Sequence, residues 1–109
     1  MSHWLYEGII TKVYDADTIT VDLDMGMRIW QKGVSVRLAG VNAPELSTPE
    51  GKAARDAVLQ VAPLGSRVRV LSHRFEKYGR LLGTITLDDG VILNLWLLEN
   101  GYAVPVAES

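Results

Sequence analysis

In Thr18-Ile19-Thr20-Val21-Asp22-Leu23-Asp24, apolar and polar residues alternate without exception. A period of two places Ile19, Val21 and Leu23 on one face of a strand and the polar side chains on the other. Such a half-apolar strand has to bury its inner face against a sheet or a closed barrel. The pattern returns further on: Val34, Val36 and Leu38 share one face, and Ser35, Arg37 and Ala39 the other. On this register Arg37 does not point into the apolar core. The first forty residues read as three strands, with a turn around Asp24 to Gly26. With 109 residues, the chain is expected to form a single domain over 1–109.

A helix is expected next. Thr48 suits an N-cap, and Pro49 suits the first helical position, where its missing N–H costs nothing. Ala53, Ala54, Ala57, Val58 and Val61 supply an apolar stripe at helical spacing, and Pro63 and Gly65 end it. Two strands follow, Arg67 to Phe75 and Leu81 to Leu87, and Asp89-Gly90 signals a tight turn. Leu93 to Asn100 reads as a short second helix stopped by Gly101 at C′. An extended piece covers Ala103 to Val106. The expected class is α+β, mainly β. A helix between strands three and four of a five-stranded barrel is the OB-fold order, and closure removes the exposed edges a small β domain must avoid.

The net charge of −2 argues against a generic nucleic-acid binder. Its distribution says more. Arg67, Arg69, Arg74, Lys77 and Arg80 fall close together, opposed only by Glu76, and no Lys or Arg follows Arg80. The expectation is one local basic patch suited to a phosphate; a solvated strand face is the plainer alternative. The absence of cysteine excludes disulfides and thiolate metal sites. Met1 to Glu7 lacks the basic and apolar regions of a signal peptide, and no segment approaches the ~20 apolar residues of a membrane span. An intracellular, cytoplasmic protein is expected.

Three segments carry candidate chemistry: Tyr14-Asp15-Ala16-Asp17-Thr18, Val36-Arg37-Leu38-Ala39-Gly40-Val41-Asn42-Ala43-Pro44-Glu45, and Lys77-Tyr78-Gly79-Arg80. Each has a structural alternative. Asp15 and Asp17 suit a turn cap. Glu45 suits the approach to a helix N-terminus, where a carboxylate complements the dipole. Arg37 and Glu45 could form an ion pair. His3 and His73 are too isolated for a ligand set, and the three tryptophans read as core or interface residues.

Taken in this order, the segments resemble the staphylococcal-nuclease (thermonuclease) family, with its D-G-D-T-like start, its R-L-x-x-x-D-x-P-E run and its K-Y-G-R-like segment. The resemblance runs from about Tyr14 to Ala103. It includes Leu93-Asn94 and Gly101-Tyr102-Ala103, which look like the family's second helix and the strand behind it. It implies a calcium-dependent nuclease acting on DNA or RNA. Asp17, Asn42 and the carbonyl of Ala43 would hold Ca2+, an ion that takes oxygen ligands, with Asp15 in support through metal-bound water. Glu45 would orient or deprotonate the attacking water. Arg37 and Arg80 would grip the phosphate, and Lys77 and Tyr78 would lie along the nucleotide.

Two departures from the family pattern qualify this. Asn42 stands where an aspartate is usual, so one negative charge beside the dication is lost. The family also continues into a third helix and a nucleotide-binding tyrosine, whereas Tyr102 to Ser109 is a short tail; the expected fold lacks that helix. The run Val91-Ile92-Leu93 with Leu95-Trp96-Leu97-Leu98 suggests surplus apolar surface, hence a homodimer or a protein partner. The alternative to an enzyme is a catalytically impaired module that binds nucleic acid, single-stranded DNA or RNA, or protein.

Overall fold

The computed structural model describes residues 4–76 and 79–106. Strands β1 (Trp4–Asp15), β2 (Thr18–Asp24) and β3 (Trp30–Leu38) come first, then a short β4 (Val41–Asn42) and helix α1 (Pro49–Val61). Strands β5 (Arg67–Phe75) and β6 (Leu81–Leu87), helix α2 (Leu93–Glu99) and a short β7 (Val104–Pro105) complete the chain. Five strands close into a barrel in the order β1-β2-β3-β6-β5, and β4 pairs with β7 alone. The β3–β6 pairing is parallel and the other barrel pairings are antiparallel. This is the expected OB-like order.

The alternation read in β2 is what fills the barrel. Ile19, Val21 and Leu23 are buried, and they meet Ile10, Val13, Val36, Leu38, Val70 and Ile85 from the other strands. Helix α1 starts as its sequence dictates: Thr48 is extended, and its Oγ1 accepts the Gly51 N–H at 3.0 Å. The apolar stripe, however, is shifted from the expected one. The buried seam is Gly51, Ala54 and Val58, continuing to Ala62, whereas Ala53 and Val61 are exposed. Small residues decide this, because the helix packs closely against backbone, and that contact selects Gly51 rather than the larger side chains one position away.

Asn94, the second residue of α2, is buried, and it joins three elements. Its Nδ2 donates to Ala39 O at 2.9 Å and to Gly83 O at 3.2 Å, and its Oδ1 accepts the Ile85 N–H at 3.1 Å. Replacing it with the similarly shaped leucine strands buried backbone groups on β6 and beyond β3. Asn94→Leu is expected to cost about 2–4 kcal/mol in urea denaturation; a loss under about 1 kcal/mol would show that these bonds are readily replaced.

The surplus of apolar surface expected at α2 is largely absent. Leu93 and Leu97 are fully buried, and Trp96 stacks on Tyr102 with ring centroids 5.6 Å apart. Only Ile92 and Leu95 of this run remain exposed. Gly101 ends the helix with φ of 75°, the left-handed conformation its position demands. Beyond it, the extended piece is shorter than read from sequence, and the β4–β7 pairing was not foreseen. Among the described residues no helix is long and apolar enough to cross a membrane.

Candidate functional site

The two aspartates sit where β1 turns into β2. Asp15 Oδ1 accepts the Asp17 N–H at 3.2 Å, so Asp15 does make the turn bond that the sequence allowed. Asp17 does more than cap a turn. Its Oδ2 accepts the Ala43 N–H at 2.9 Å, across 26 residues, and its Oδ1 accepts from the Thr18 hydroxyl at 3.2 Å. The first bond holds the end of β4 against the β1–β2 turn.

Arg37 lies on β3, opposite Thr18 on β2. Its Nη1 donates to Leu38 O at 3.0 Å and to Val41 O at 2.8 Å, and lies 3.5 Å from Asp17 Oδ2. The guanidinium is therefore braced by the loop leading to β4 and faces Asp17 rather than forming the ion pair with Glu45 that sequence left open. Glu45 is exposed, and its backbone is fixed: its carbonyl accepts from the Thr48 N–H at 3.0 Å and the Thr48 hydroxyl at 2.7 Å. Gly51 packs against the same carbonyl so closely that there is no room for a Cβ.

These side chains share one cavity of about 520 Å3, lined by Asp15, Asp17, Arg37, Asn42, Ala43, Glu45 and Arg80. Thus seven of the nine residues singled out from sequence converge. The other two, Lys77 and Tyr78, lie outside the described residues. The same wall carries Lys12, Tyr14, Thr18, Thr20 and Ser35. Sequence reading gave none of these a role, although the strand period that turns Arg37 outward also turns Ser35, and on β2 Thr18 and Thr20, to that face. Arg80 is 3.9 Å from Glu76, which Arg74 also approaches at 3.9 Å. These long, partly exposed contacts hold Arg80 only weakly.

The expected basic patch is not one patch. Of its described members only Arg80 reaches the cavity. Arg67 lines a separate pocket with Glu7 and Asp24, and Arg69 faces Glu7 across the sheet. At a strand rise of ~3.3 Å per residue, Arg67 and Arg74 at the two ends of β5 lie roughly 23 Å apart, too far to share one phosphate.

The electrostatics single out the aspartate pair. Burial, a hydrogen bond to Asp17 and the charge of Asp17 together push the Asp15 carboxyl up from 3.8 to about 6. Burial works in the same direction on Asp17, but hydrogen bonds from Asp15 and the Ala43 N–H and the charge of Arg37 outweigh it and hold that carboxyl below its ordinary value. Each of the two neighbouring carboxyls makes ionisation of the other more costly. A hard cation answers that crowding, and the oxygens at hand, from Asp17, Asn42 and the Ala43 carbonyl, are of the type it takes. The donor set is nevertheless poor in charge: no group of three or more acidic, histidine or cysteine side chains suited to a metal occurs among the described residues.

Residues 35–109 match the family model described as staphylococcal nuclease homologue. The chain belongs to this family. Among similar proteins, endonuclease YhcR of Bacillus subtilis (strain 168) is 35% identical over 111 residues, covering 90% of this chain and 9% of its own length. The probable staphylococcal-like nuclease CAN1 of Oryza sativa subsp. japonica is 32% identical, covering 89% of this chain and 29% of its own length. An uncharacterized endonuclease of Escherichia coli O157:H7 is also 32% identical, covering 88% of this chain and 58% of its own length. The chain thus spans less than two thirds of the length of each of these relatives. Nuclease or endonuclease is the word common to the family description and to these names.

Proposed function

We propose that the chain is a calcium-dependent nuclease that hydrolyses phosphodiester bonds of single-stranded DNA or RNA with little base preference. The observation that carries this reading is the convergence of Arg37, Arg80, Asp17 and Glu45 on one cavity. Arg37 and Arg80 would neutralise a phosphate from two sides with forked, permanently charged donors. Glu45 would take a proton from water as the water oxygen bonds to phosphorus and the P–O ester bond breaks; the departing oxygen takes up a proton from solvent. Asp17, the Asn42 amide oxygen and the Ala43 carbonyl would hold Ca2+, with Asp15 behind them. Bound there, the cation would draw charge from a phosphate oxygen as a Lewis acid. Because the groups recognised are phosphates, base identity would matter little. The resemblance adds Lys77 and Tyr78 along the nucleotide.

The test is incubation with single-stranded DNA in calcium and in calcium with excess chelator. Cleavage only in free calcium supports the proposal. Equal cleavage in both rejects calcium dependence, and binding without cleavage in either supports the second reading, a catalytically impaired module for nucleic acid or protein. That reading is favoured by the acidic balance of the chain and by one feature of the site, the neutral Asn42 in the proposed ligand set.

The same feature gives a prediction on binding alone. A carboxylate at position 42 adds a full negative charge next to a dication at an exposed site, where the attraction is moderated by solvent. Asn42→Asp is expected to tighten Ca2+ binding by roughly ten- to a hundredfold in a calorimetric titration. Equal affinity for the two proteins would remove position 42 from the proposed ligand set.

A further inference from the structure

Strands β1, β2 and β3 carry a second row of polar side chains beside the one already described. Asp15, Thr18 and Arg37 stand opposite one another across the three strands, and so do Lys12, Thr20 and Ser35. All six line the large cavity. On β2 the two rows are two residues apart, roughly 7 Å at the usual strand rise. That is about one nucleotide step along a stretched single strand. We propose that the row of Lys12, Thr20 and Ser35 holds the phosphate next to the one gripped by Arg37 and Arg80, an inference that rests on the nuclease reading above.

The backbone of β1 is bent in a way that makes this row. Ile10 and Val13 are buried in the barrel, and strict alternation from Ile10 would turn Lys12 inward. Instead β1 shifts register twice against β2, between Ile10 and Lys12 and between Val13 and Asp15. Each β-bulge leaves one residue outside the pairing, Thr11 and then Tyr14, and re-aims the side chain that follows. The first turns Lys12 to the face of Thr20, and the second turns Asp15 to the face of Thr18. The groups so placed are available to a ligand. Among the described residues the Lys12 ammonium forms no ion pair; it lies 5.9 Å from the centroid of the Tyr14 ring, a contact that leaves its N–H donors free. The Thr20 and Ser35 hydroxyls likewise bond to no described side chain or backbone group. An ammonium and two hydroxyls are donors of the kind that contact phosphate oxygens. A volume of about 520 Å3 also leaves more room than one phosphate and one cation fill. The row has no successor: at the next outward position of β2, Asp22 is paired with Lys32 at 3.4 Å, so the track ends after two phosphates.

The test measures binding of a non-cleavable phosphorothioate single strand, in calcium and across a range of KCl concentrations, to the parent chain, to Lys12→Gln and to Arg67→Gln. Arg67 lines a different pocket, so its variant controls for the loss of one positive charge. Lys12 is exposed, and its exchange is expected to leave the melting temperature unchanged. Lys12→Gln should weaken binding about three- to tenfold and lower the slope of log Kd against log salt by roughly 0.7, the share of one phosphate on a single strand. Arg67→Gln should do neither. In the parent and both variants the strand should shift the NMR amide resonances of Asp17 and Arg37. With those shifts present, an unchanged affinity and slope in Lys12→Gln, or an equal loss in Arg67→Gln, overturns the second phosphate site and leaves the nuclease reading standing. A strand that fails to bind the parent, or binds without shifting Asp17 and Arg37, overturns both.

Discussion

Glu45→Gln is expected to lower kcat on single-stranded DNA by roughly 10²–10⁴-fold, with KM changed little. The side chain is exposed at the cavity and forms no ion pair among the described residues, whereas its backbone is held by Thr48. The amide keeps the shape and the position but cannot accept the proton from water. The melting temperature should therefore match the parent protein, which separates lost chemistry from lost folding. Steady-state kinetics decide the matter: an activity within a few-fold of the parent at equal stability would assign the proton to another group.

Gly51→Ala is the second large effect, and its sign is opposite to the usual one. Glycine inside a helix normally costs ~1 kcal/mol relative to alanine, so the exchange would ordinarily stabilise α1. Here a Cβ would overlap the Glu45 carbonyl oxygen and press on the Leu46 nitrogen, and backbone cannot rotate out of the way. Either the first turn of α1 or the 45–48 loop must shift, and the Thr48 bonds that hold both would be lost. The expected loss is about 1–3 kcal/mol or more in urea denaturation, accompanied by a fall in cleavage, because Glu45 moves with the loop. A stabilised Gly51→Ala protein would show that the helix can relax away from the loop without harm.

Much of this architecture could be read from residue order, for a physical reason. Strands with one buried face carry a period of two, and helix ends carry their own chemistry, so β2, β5 and β6, the Thr48 cap and the Gly101 stop were all legible. What escaped was settled by contacts between distant segments. β4 and β7 are two residues each, too short for a period, and exist because Val41 and Asn42 meet Pro105 and Val104. The buried seam of α1 was read in part: Ala54 and Val58 belong to it as expected, but Gly51 was missed because its place is set by a close backbone approach and not by an apolar side chain.

The site follows the same division. Its outline came from three motifs in one order along the chain, but that Asp17 would bond the Ala43 N–H and brace Arg37 is a fact of three dimensions. The arginine cluster shows the reverse case: closeness in sequence suggested one patch, and strand geometry divided it. Thr20 and Ser35 were visible as outward strand positions, yet nothing in their type marked them as part of a site.

The central claim is that one phosphate is gripped between Arg37 and Arg80 beside a cation at Asp17. A crystal structure of the chain with calcium and a non-cleavable phosphorothioate trinucleotide tests it most directly. The account predicts a phosphate within hydrogen-bonding distance of both guanidinium groups, with calcium on Asp17 and the Ala43 carbonyl. Phosphate bound instead at Arg67 and Arg69, with the Asp17 cavity containing neither ion nor ligand, would contradict it.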